Sequence, residues 1–219
     1  FNNLIVESDP DFGPSRFGPA YAYFGSGNSF VSYAQRGGVL SERTTALNLG
    51  DEWTIECWFR LGAFSVPETR PTEPWCLLSM DSATEQTIAL YLQWTEADGN
   101  VMAELQGQFK REGGGIIQSV SGTQVVPGPD WIHCALVKTP GGVCLFQGGN
   151  RYGQFSWTDL VTAQVDRVGL GGKVDPSFAD QIKDWPCDLD MDELRILGNK
   201  AAYDINSPTY QIPTGPFAA

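Results

Sequence analysis

The chain has 219 residues, of which 42% are hydrophobic and 18% charged, and its formal net charge is −12 at pH 7. This length suits one domain with a sizeable core, and 25 glycines with 14 prolines predict many turns. Affinity for phosphate backbones comes mainly from Lys and Arg, and no apolar run approaches the roughly 20 residues of a membrane-spanning helix. The sequence therefore predicts neither nucleic-acid binding nor membrane insertion.

Residues 1–19 contain three prolines and two glycines from position 10 onward and predict an extended N-terminal segment that leads into one domain at residues 20–219. The first residue is Phe1 and no secretory signal follows it, so we expect a fragment or processed form of a longer polypeptide. Residues 21–24 and 29–33 predict the first strand and its continuation.

Residues 53–60 predict a half-buried strand, because Trp53, Ile55, Cys57 and Phe59 alternate with more polar residues and share one face. The prolines of residues 62–74 predict a loop. Residues 77–79, 87–94 and 101–109 then predict a meander of neighbouring strands, with residues 95–100 as a hairpin connection.

Residues 131–138 and 143–147 predict a hairpin that is apolar on both faces and therefore central. In this hairpin Val137 should face Cys144 and Cys134 should face Gln147, which places the two thiols on opposite faces. The five cysteines are odd in number and show no C-x-x-C spacing, so we expect them to be reduced and buried in a chain made in a reducing cytoplasm.

The remaining segments complete a protein that is nearly all β. Residues 116–120 and 165–170 predict further strands, and residues 171–186 predict a loop rich in Gly, Asp and Pro. Residues 187–197 predict the closing strand, and residues 199–206 a short helical turn.

Three segments carry a family resemblance: residues 47–60 (LNLGDEWTIECWFR), 131–137 (WIHCALV) and 191–196 (MDELRI). In this order they resemble the LNLGDDFTIEAWV, WHHVAL and IDEVRI segments of laminin-G-like, or concanavalin A-like, jelly-roll domains. The tail at Ala201, Ala202, Tyr203 and residues 208–217 is similar to such domains in bacteriophage virion proteins. The resemblance implies an all-β fold, a two-sheet antiparallel β-sandwich of the jelly-roll type.

Three functions compete under that resemblance. The first is a non-enzymatic bacteriophage virion accessory domain, on a tail fibre or as capsid decoration, that binds a host surface glycan or protein. The second is a structural virion module that stabilises shell or tail through contacts with other virion proteins. Both imply a homo-oligomeric display on a virion assembled in the bacterial cytoplasm. The third is a glycoside hydrolase of laminarinase-like fold.

The hydrolase alternative depends on Asp188, Asp190 and Glu193, whose spacing matches an E-x-D-x-x-E motif. Retaining hydrolysis requires two carboxyl groups about 5 Å apart. Asp188 replaces the Glu of that motif, and the cluster ends as DELRI near the C-terminus, the form of the laminin-G-like closing strand. His133 is the single histidine and lies mid-strand, which favours a packing role. We therefore expect no enzymatic activity.

A structural calcium ion is a second candidate for the acids, because hard cations take oxygen ligands from carboxylates and amides. The candidate ligands are Asp192 and Asn28, the latter in an early turn where the family usually has aspartate. The alternative is that Asp192 caps or solvates a sheet edge.

Loop aromatics are candidates for stacking on sugar rings. They are Trp185 in a Lys-Asp-Trp-Pro segment, Tyr152 after Asn150, and Trp94 beside the predicted turn at residues 96–100. The alternative for each ring is that it covers an edge of the sandwich.

Overall fold

The computed structural model describes residues 5–6, 11–13, 21–24, 31–33, 47–61, 70–81, 86–110, 117–155, 164–165, 167–171, 173–174, 182–184 and 189–215. Side chains are described within residues 49–61, 70–80, 88–109, 119–155, 169–171 and 189–215. These residues form strands, turns and irregular connections, and none of them belongs to an apolar helix long enough to cross a membrane.

The described part of the chain contains eighteen strands, in agreement with the prediction of a nearly all-β protein. They are β1 (Ile5–Val6), β2 (Asp11–Gly13), β3 (Tyr21–Phe24), β4 (Val31–Tyr33), β5 (Leu47–Asn48), β6 (Trp53–Arg60), β7 (Trp75–Asp81), β8 (Gln86–Ala97), β9 (Asn100–Lys110), β10 (Ile117–Val125), β11 (Ile132–Thr139), β12 (Gly142–Gln147), β13 (Asn150–Phe155), β14 (Gln164–Val165), β15 (Arg167–Leu170), β16 (Lys173–Val174), β17 (Ile182–Asp184) and β18 (Leu189–Gly198).

Two antiparallel seven-stranded sheets form the sandwich, as the jelly-roll resemblance implies. Sheet A has the strand order β1-β4-β15-β7-β8-β9-β10, and sheet B has the order β13-β12-β11-β6-β18-β3-β2. Two short pairs, β5 with β14 and β16 with β17, lie outside these sheets. The predicted meander is confirmed, since β7, β8 and β9 are neighbours in sheet A.

The core between the sheets comes from residues that alternate along each strand. On β6 the four apolar residues of the predicted face are at most 1% exposed. They pack with inward residues of the neighbouring strands, because every second side chain of a strand points to the same face. The inward set on sheet B also includes Cys134, Leu136, Val143, Leu145, Leu189 and Met191, and sheet A contributes Leu78, Met80, Ile88, Leu90, Leu92, Trp94, Ala103, Leu105, Phe109 and Val120.

The hairpin of β11 and β12 has the predicted register. Val137 pairs with Cys144, and Cys134 pairs with Gln147, so the two thiols lie on opposite faces of sheet B. Cys134 belongs to the main core, and Cys144 to a second apolar cluster on the outer face. Both strands are buried on both faces because that outer face is covered as well.

The structure adds to the sequence prediction or differs from it in several regions. The predicted loop at residues 171–186 contains the paired strands β16 and β17, and the predicted first strand and its continuation belong to different sheets, β3 to sheet B and β4 to sheet A. The N-terminal segment of residues 1–19 contributes two short edge strands: β1 pairs with β4, and β2 pairs with β3. Strands of two and three residues fit between the turn residues that dominate that segment. Strand β13 was not predicted, because its sequence, NRYGQF, is mostly polar and does not alternate between apolar and polar residues. The helical turn predicted at residues 199–206 is absent, and these residues form irregular turns.

One glycine closes an edge of the sandwich and gives a testable prediction. A Cβ atom at Gly153 of β13 would lie 2.7 Å from both the backbone N and O of Ser121 in β10. Backbone atoms cannot move aside as a flexible side chain can, so Gly153→Ala should lower the free energy of unfolding by about 2 kcal/mol. Gly128→Ala is the control, because its Cβ would have no heavy atom within 4 Å. Equal denaturation midpoints for the two variants would contradict the close packing of β13 on β10.

Candidate functional site

The outer face of sheet A carries a continuous set of polar side chains on β8, β9 and β10. Their positions alternate with the core residues of the same strands, so they point away from the other sheet. We call this set the polar face, and it consists of Tyr91, Gln93, Glu104, Gln106, Gln108, Ser119, Ser121 and Gln124.

Strand register arranges the polar face in three rows. Gln108 pairs with Ser119 in the first row. In the second, Gln106 lies between Tyr91 and Ser121. In the third row Glu104 lies between Gln93 and Gln124. Neighbouring strands are about 4.8 Å apart, so the rows form a grid of closely spaced donors and acceptors.

The accessibility of the polar face increases from β8 towards β10. Tyr91 is 6% exposed, and Gln93 is partly buried. The three side chains of β9 are also partly buried, whereas those of β10 are exposed. A ligand lying across these strands can therefore reach side chains of all three.

A hydrogen bond between strands orients the middle row. The Tyr91 hydroxyl donates to Gln106 Oε1 at 2.8 Å, which directs the amide nitrogen of Gln106 away from the ring. Burial raises the pKa of Tyr91 to about 12, and electrostatic repulsion from Cys76 and Glu104 adds to the shift. Tyr91 therefore remains a neutral hydroxyl donor at physiological pH.

The charge of the polar face is low for so acidic a chain. Seven of its eight residues are uncharged at neutral pH, and Glu104 is the single carboxylate among them. Each glutamine amide offers two donors and an acceptor, and each hydroxyl offers one donor with acceptor capacity. This chemistry suits an uncharged ligand rich in hydroxyl groups.

The predicted ligand-binding aromatics have different outcomes. The prediction that Trp94 stands beside a loop is wrong, because β8 continues to Ala97 and the Trp94 ring is 1% exposed. It packs edge to face on Trp75 with ring centroids 4.7 Å apart. Tyr152 lies on edge strand β13 and is 39% exposed, so its role in binding stays a prediction. Trp185 lies outside the described residues.

The predicted calcium ligands are described only in part. Asp192 Oδ1 accepts the backbone N–H of Glu193 at 2.9 Å, within a bulge where Glu193 has a φ of 51°. Asn28 lies outside the described residues, and those that are described contain no group of three His, Cys, Asp or Glu that could hold a metal ion. Calcium binding by Asp192 and Asn28 remains a prediction.

Two of the three acids of the hydrolase alternative, Asp190 and Glu193, lie on β18. Asp190 is 8% exposed, and its Oδ2 accepts the Arg60 guanidinium at 2.5 Å. Asp190 and Glu193 are three positions apart, which in a regular strand would place them on opposite faces, and the bulge after Asp192 interrupts that alternation. Asp188 lies outside the described residues. An ion-paired Asp190 is poorly suited to proton transfer, because the guanidinium stabilises its charged form.

Glu56 is the centre of a buried polar network on the outer face of sheet B. Its side chain is 0% exposed and projects from β6 beside β11 and β18. Glu56 Oε1 accepts from Arg195 Nε at 2.7 Å and Nη2 at 2.6 Å. Glu56 Oε2 accepts the Tyr203 hydroxyl at 2.5 Å and lies 3.2 Å from His133 Nε2, off the line of an ideal hydrogen bond. Four donor atoms thus surround one carboxylate.

The C-terminal segment, residues 199–215, covers this network. Tyr203 and Tyr210 contact the His133 ring, and His133 Nδ1 lies 2.6 Å from the Tyr210 hydroxyl. Because a carboxylate only accepts, the Nε2 atom beside Glu56 is a donor, and Nδ1 shares a hydrogen bond with the Tyr210 hydroxyl. His133 is 0% exposed, so it cannot reach a substrate and has the packing role predicted for it.

Apolar contacts and backbone hydrogen bonds also attach the C-terminal segment to sheet B. Ile205 completes the second apolar cluster with Ala135, Val137, Cys144 and Phe146. The backbone bonds join Asn199 N to Leu49 O, Lys200 N to Glu52 O, Arg151 N to Pro208 O and Tyr210 N to Gly149 O. The segment is therefore an integral part of the domain.

The Glu56 network predicts how stability depends on pH. Burial tends to raise the pKa of Glu56, but the adjacent His133 imidazole and the hydrogen bonds from Tyr203 and Arg195 outweigh burial and hold the pKa below its ordinary value of 4.5. The stabilisation is fully present above the pKa of Glu56 in the unfolded chain and is lost as pH falls through the lower folded value. Denaturant titrations from pH 7 to pH 3 should show the difference between Glu56→Gln and the parent narrowing below about pH 4.5. A constant difference would contradict the lowered pKa.

Comparison with solved structures supports the fold. Domain 4 of the arabinanase AbnA from Geobacillus stearothermophilus, in complex with arabinotriose, superposes with a TM-score of 0.53 at 16% identity, over 90% of this chain and 81% of that one. Mouse laminin α1 domains LG4-5 give 0.53 at 15% identity, over 94% of this chain and 47% of that one. CBM40 of the Ruminococcus gnavus IT-sialidase gives 0.53 at 16% identity, over 85% and 93% of the two chains. The same CBM40 bound to α2,3-sialyllactose gives 0.50 at 15% identity, over 90% of each chain.

These likenesses establish the β-sandwich fold that the three sequence segments predict. By sequence, no protein-family model and no curated protein matches the chain. The identities are low, so the comparisons define the architecture and leave the ligand to be argued from the site itself.

Proposed function

We propose that the domain is a non-enzymatic recognition module that binds a glycan on the polar face of sheet A. The three rows of amide and hydroxyl side chains on β8, β9 and β10 are the observation that carries this proposal. Sugar hydroxyls pair with donors and acceptors of this kind, and a rigid sheet holds them in fixed positions.

Two of the superposed structures contain sugars, arabinotriose in the arabinanase domain and α2,3-sialyllactose in CBM40. Their ligands are consistent with carbohydrate binding by this fold. The polar face supplies the independent argument for this chain, because glutamines and serines occupy outward positions in consecutive strands.

We further propose that the module belongs to a bacteriophage virion, as a tail-fibre or capsid-decoration domain that binds a host surface glycan. The C-terminal sequence at residues 201–217 supports this placement through its similarity to virion domains. Display of many copies on one particle multiplies a weak affinity per site. In this setting the partners are other virion proteins and the host surface.

Gln106→Ala with Gln108→Ala tests the glycan site. Each side chain should contribute about 1 kcal/mol of hydrogen bonding to the ligand, so the double variant should lose about 2 kcal/mol and bind roughly thirtyfold more weakly. The measurement is retention of a fluorescent glycan panel on beads that carry many copies of the domain. Gln154→Ala is the matched control, because Gln154 is exposed on β13, outside the polar face.

The outcomes separate the competing functions. Equal binding by the parent and the double variant would place the glycan elsewhere, and Tyr152→Ala would then test the exposed ring on β13. If no glycan binds, in calcium or in chelator, the structural virion module becomes the better explanation. Loss of binding in chelator with an unchanged circular dichroism spectrum would place calcium at the ligand, whereas loss of the fold would make calcium structural.

A further inference from the structure

Two thiols face each other in the middle of sheet B. Cys57 of β6 and Cys134 of β11 are direct partners in the strand register, and their sulfur atoms are 3.6 Å apart. Both residues are 0% exposed and belong to the main core. Directly opposed residues of antiparallel strands have Cα atoms about 4.5 to 5.5 Å apart, within the range that a disulfide spans.

The thiols of Cys76 and Cys144 lie beside backbone oxygens. The Cys76 thiol lies 3.7 Å from the backbone oxygen of Leu90, and the Cys144 thiol lies 3.9 Å from that of Leu145. Within the described part of the chain, Cys57 and Cys134 are the pair that one covalent bond could join with little movement. The sequence gives no hint of this pair, because 77 residues separate its members.

We propose that Cys57 and Cys134 form a disulfide when the chain folds in the presence of a small-molecule disulfide, and that folding under reducing conditions preserves the dithiol afterwards. The redox state of this pair then records the conditions under which β6 and β11 came together.

The reaction is a thiol–disulfide exchange in two steps. The thiolate of one cysteine attacks a sulfur of oxidised glutathione, forms a mixed disulfide and releases one reduced glutathione. The second cysteine, as thiolate, attacks the protein sulfur of the mixed disulfide and releases the second reduced glutathione. One sulfur–sulfur bond is broken and one is formed, and the two thiol protons end on the two glutathione molecules.

Burial prevents both steps in the folded domain. A mixed disulfide with glutathione has no room between two sheets at the density of a protein core. The hydrogen bond with Cys57 and burial both raise the pKa of Cys134, which removes the reactive thiolate. Because β6 and β11 are interior strands of sheet B, exposing the pair requires opening of the most protected part of the domain.

Three parallel samples of the full chain test the proposal. The first is unfolded with denaturant and reductant and refolded in reduced glutathione, and the second is refolded in a mixture of oxidised and reduced glutathione. The third is folded under reducing conditions and only then moved into the mixture. Free thiols are alkylated after denaturation, and peptide mass mapping identifies any Cys57–Cys134 link.

We expect the link in the second sample and free thiols in the first and third. The linked form should melt roughly 10 °C higher than the dithiol form, because the bond closes a long loop. Free thiols at both positions in the second sample would overturn the disulfide, and a link formed equally fast in the third would overturn the protection by folding.

Two variants control for pairing and for failure to refold. Cys134→Ala should abolish the link, whereas the combined Cys76→Ser and Cys144→Ser variant should retain it. If the chain does not refold from denaturant, production in the bacterial periplasm and in the reducing cytoplasm replaces the first two samples. The same peptide map then decides, and free thiols in the periplasmic protein would overturn the proposal.

Discussion

Glu56→Ala is expected to lower the free energy of unfolding by about 3 kcal/mol, because it removes a buried carboxylate and leaves its donors without an acceptor. In the folded domain that carboxylate accepts from Arg195 and Tyr203 and lies beside His133. Denaturant titration at pH 7 measures the difference.

Glu96→Ala is the matched control for this substitution. Glu96 lies near the end of β8 and is exposed, so the same change should shift the free energy of unfolding by less than about 0.5 kcal/mol. A loss below 1 kcal/mol in Glu56→Ala would mean that the network contributes little more than a surface ion pair.

Deletion of residues 199–219 should have a still larger effect and abolish cooperative folding. It uncovers Val137, Phe146 and the other apolar residues of the second cluster, and it also removes two hydroxyl partners of the Glu56 network. Each large apolar side chain returned to water costs about 2 kcal/mol, and a domain has only about 5 to 15 kcal/mol of stability in total. The readouts are the near-UV circular dichroism spectrum and the sharpness of the thermal transition.

A milder variant keeps this test informative. Tyr203→Phe with Tyr210→Phe retains the rings on the second cluster and removes only the hydroxyls, so the domain should fold with a lower melting temperature. A truncated chain that unfolds cooperatively within a few degrees of the parent would contradict the integral role of the C-terminal segment.

The alternation of apolar residues was enough to predict the strands that build the core. Trp53, Ile55, Cys57 and Phe59 identify one face of β6, and the hairpin of β11 and β12 is recognisable because both its faces are apolar. These signals are local, since a side chain reaches the core through the period of its own strand.

The Glu56 network could not be predicted in the same way. In the sequence Glu56 alternates with core residues and is indistinguishable from a solvated surface acid. Its burial comes from Tyr203, which lies 147 residues away in the chain. Contacts between residues so far apart in the chain depend on how the C-terminal segment packs on the sheet. The alternation of apolar and polar residues along one strand carries no information about them.

The candidate site was missed for a related reason. Aromatic residues near loops were expected to bind sugar, yet the β8–β9 pairing continues beyond Trp94 to Ala97. Trp94 points into the core because it shares a face of β8 with Leu90 and Leu92. The outward glutamines of β9 alternate visibly in the sequence, but only the register aligns them with Tyr91 and Ser121. Here the pairing of strands rather than any single motif creates the surface.

The C-terminal segment covers the outer face of sheet B, so the two outer faces of the sandwich differ in what they can contact. On sheet B, the outward side chains of β6, β11 and β12 are covered by Ile205 and by the tyrosines of the C-terminal segment. On the opposite side of the molecule, the outward side chains of sheet A become more accessible from β8 to β10. Copies arranged in an array could engage a common target together only if each were mounted with the same side facing outward, so the orientation of attachment would matter as much as the number of copies.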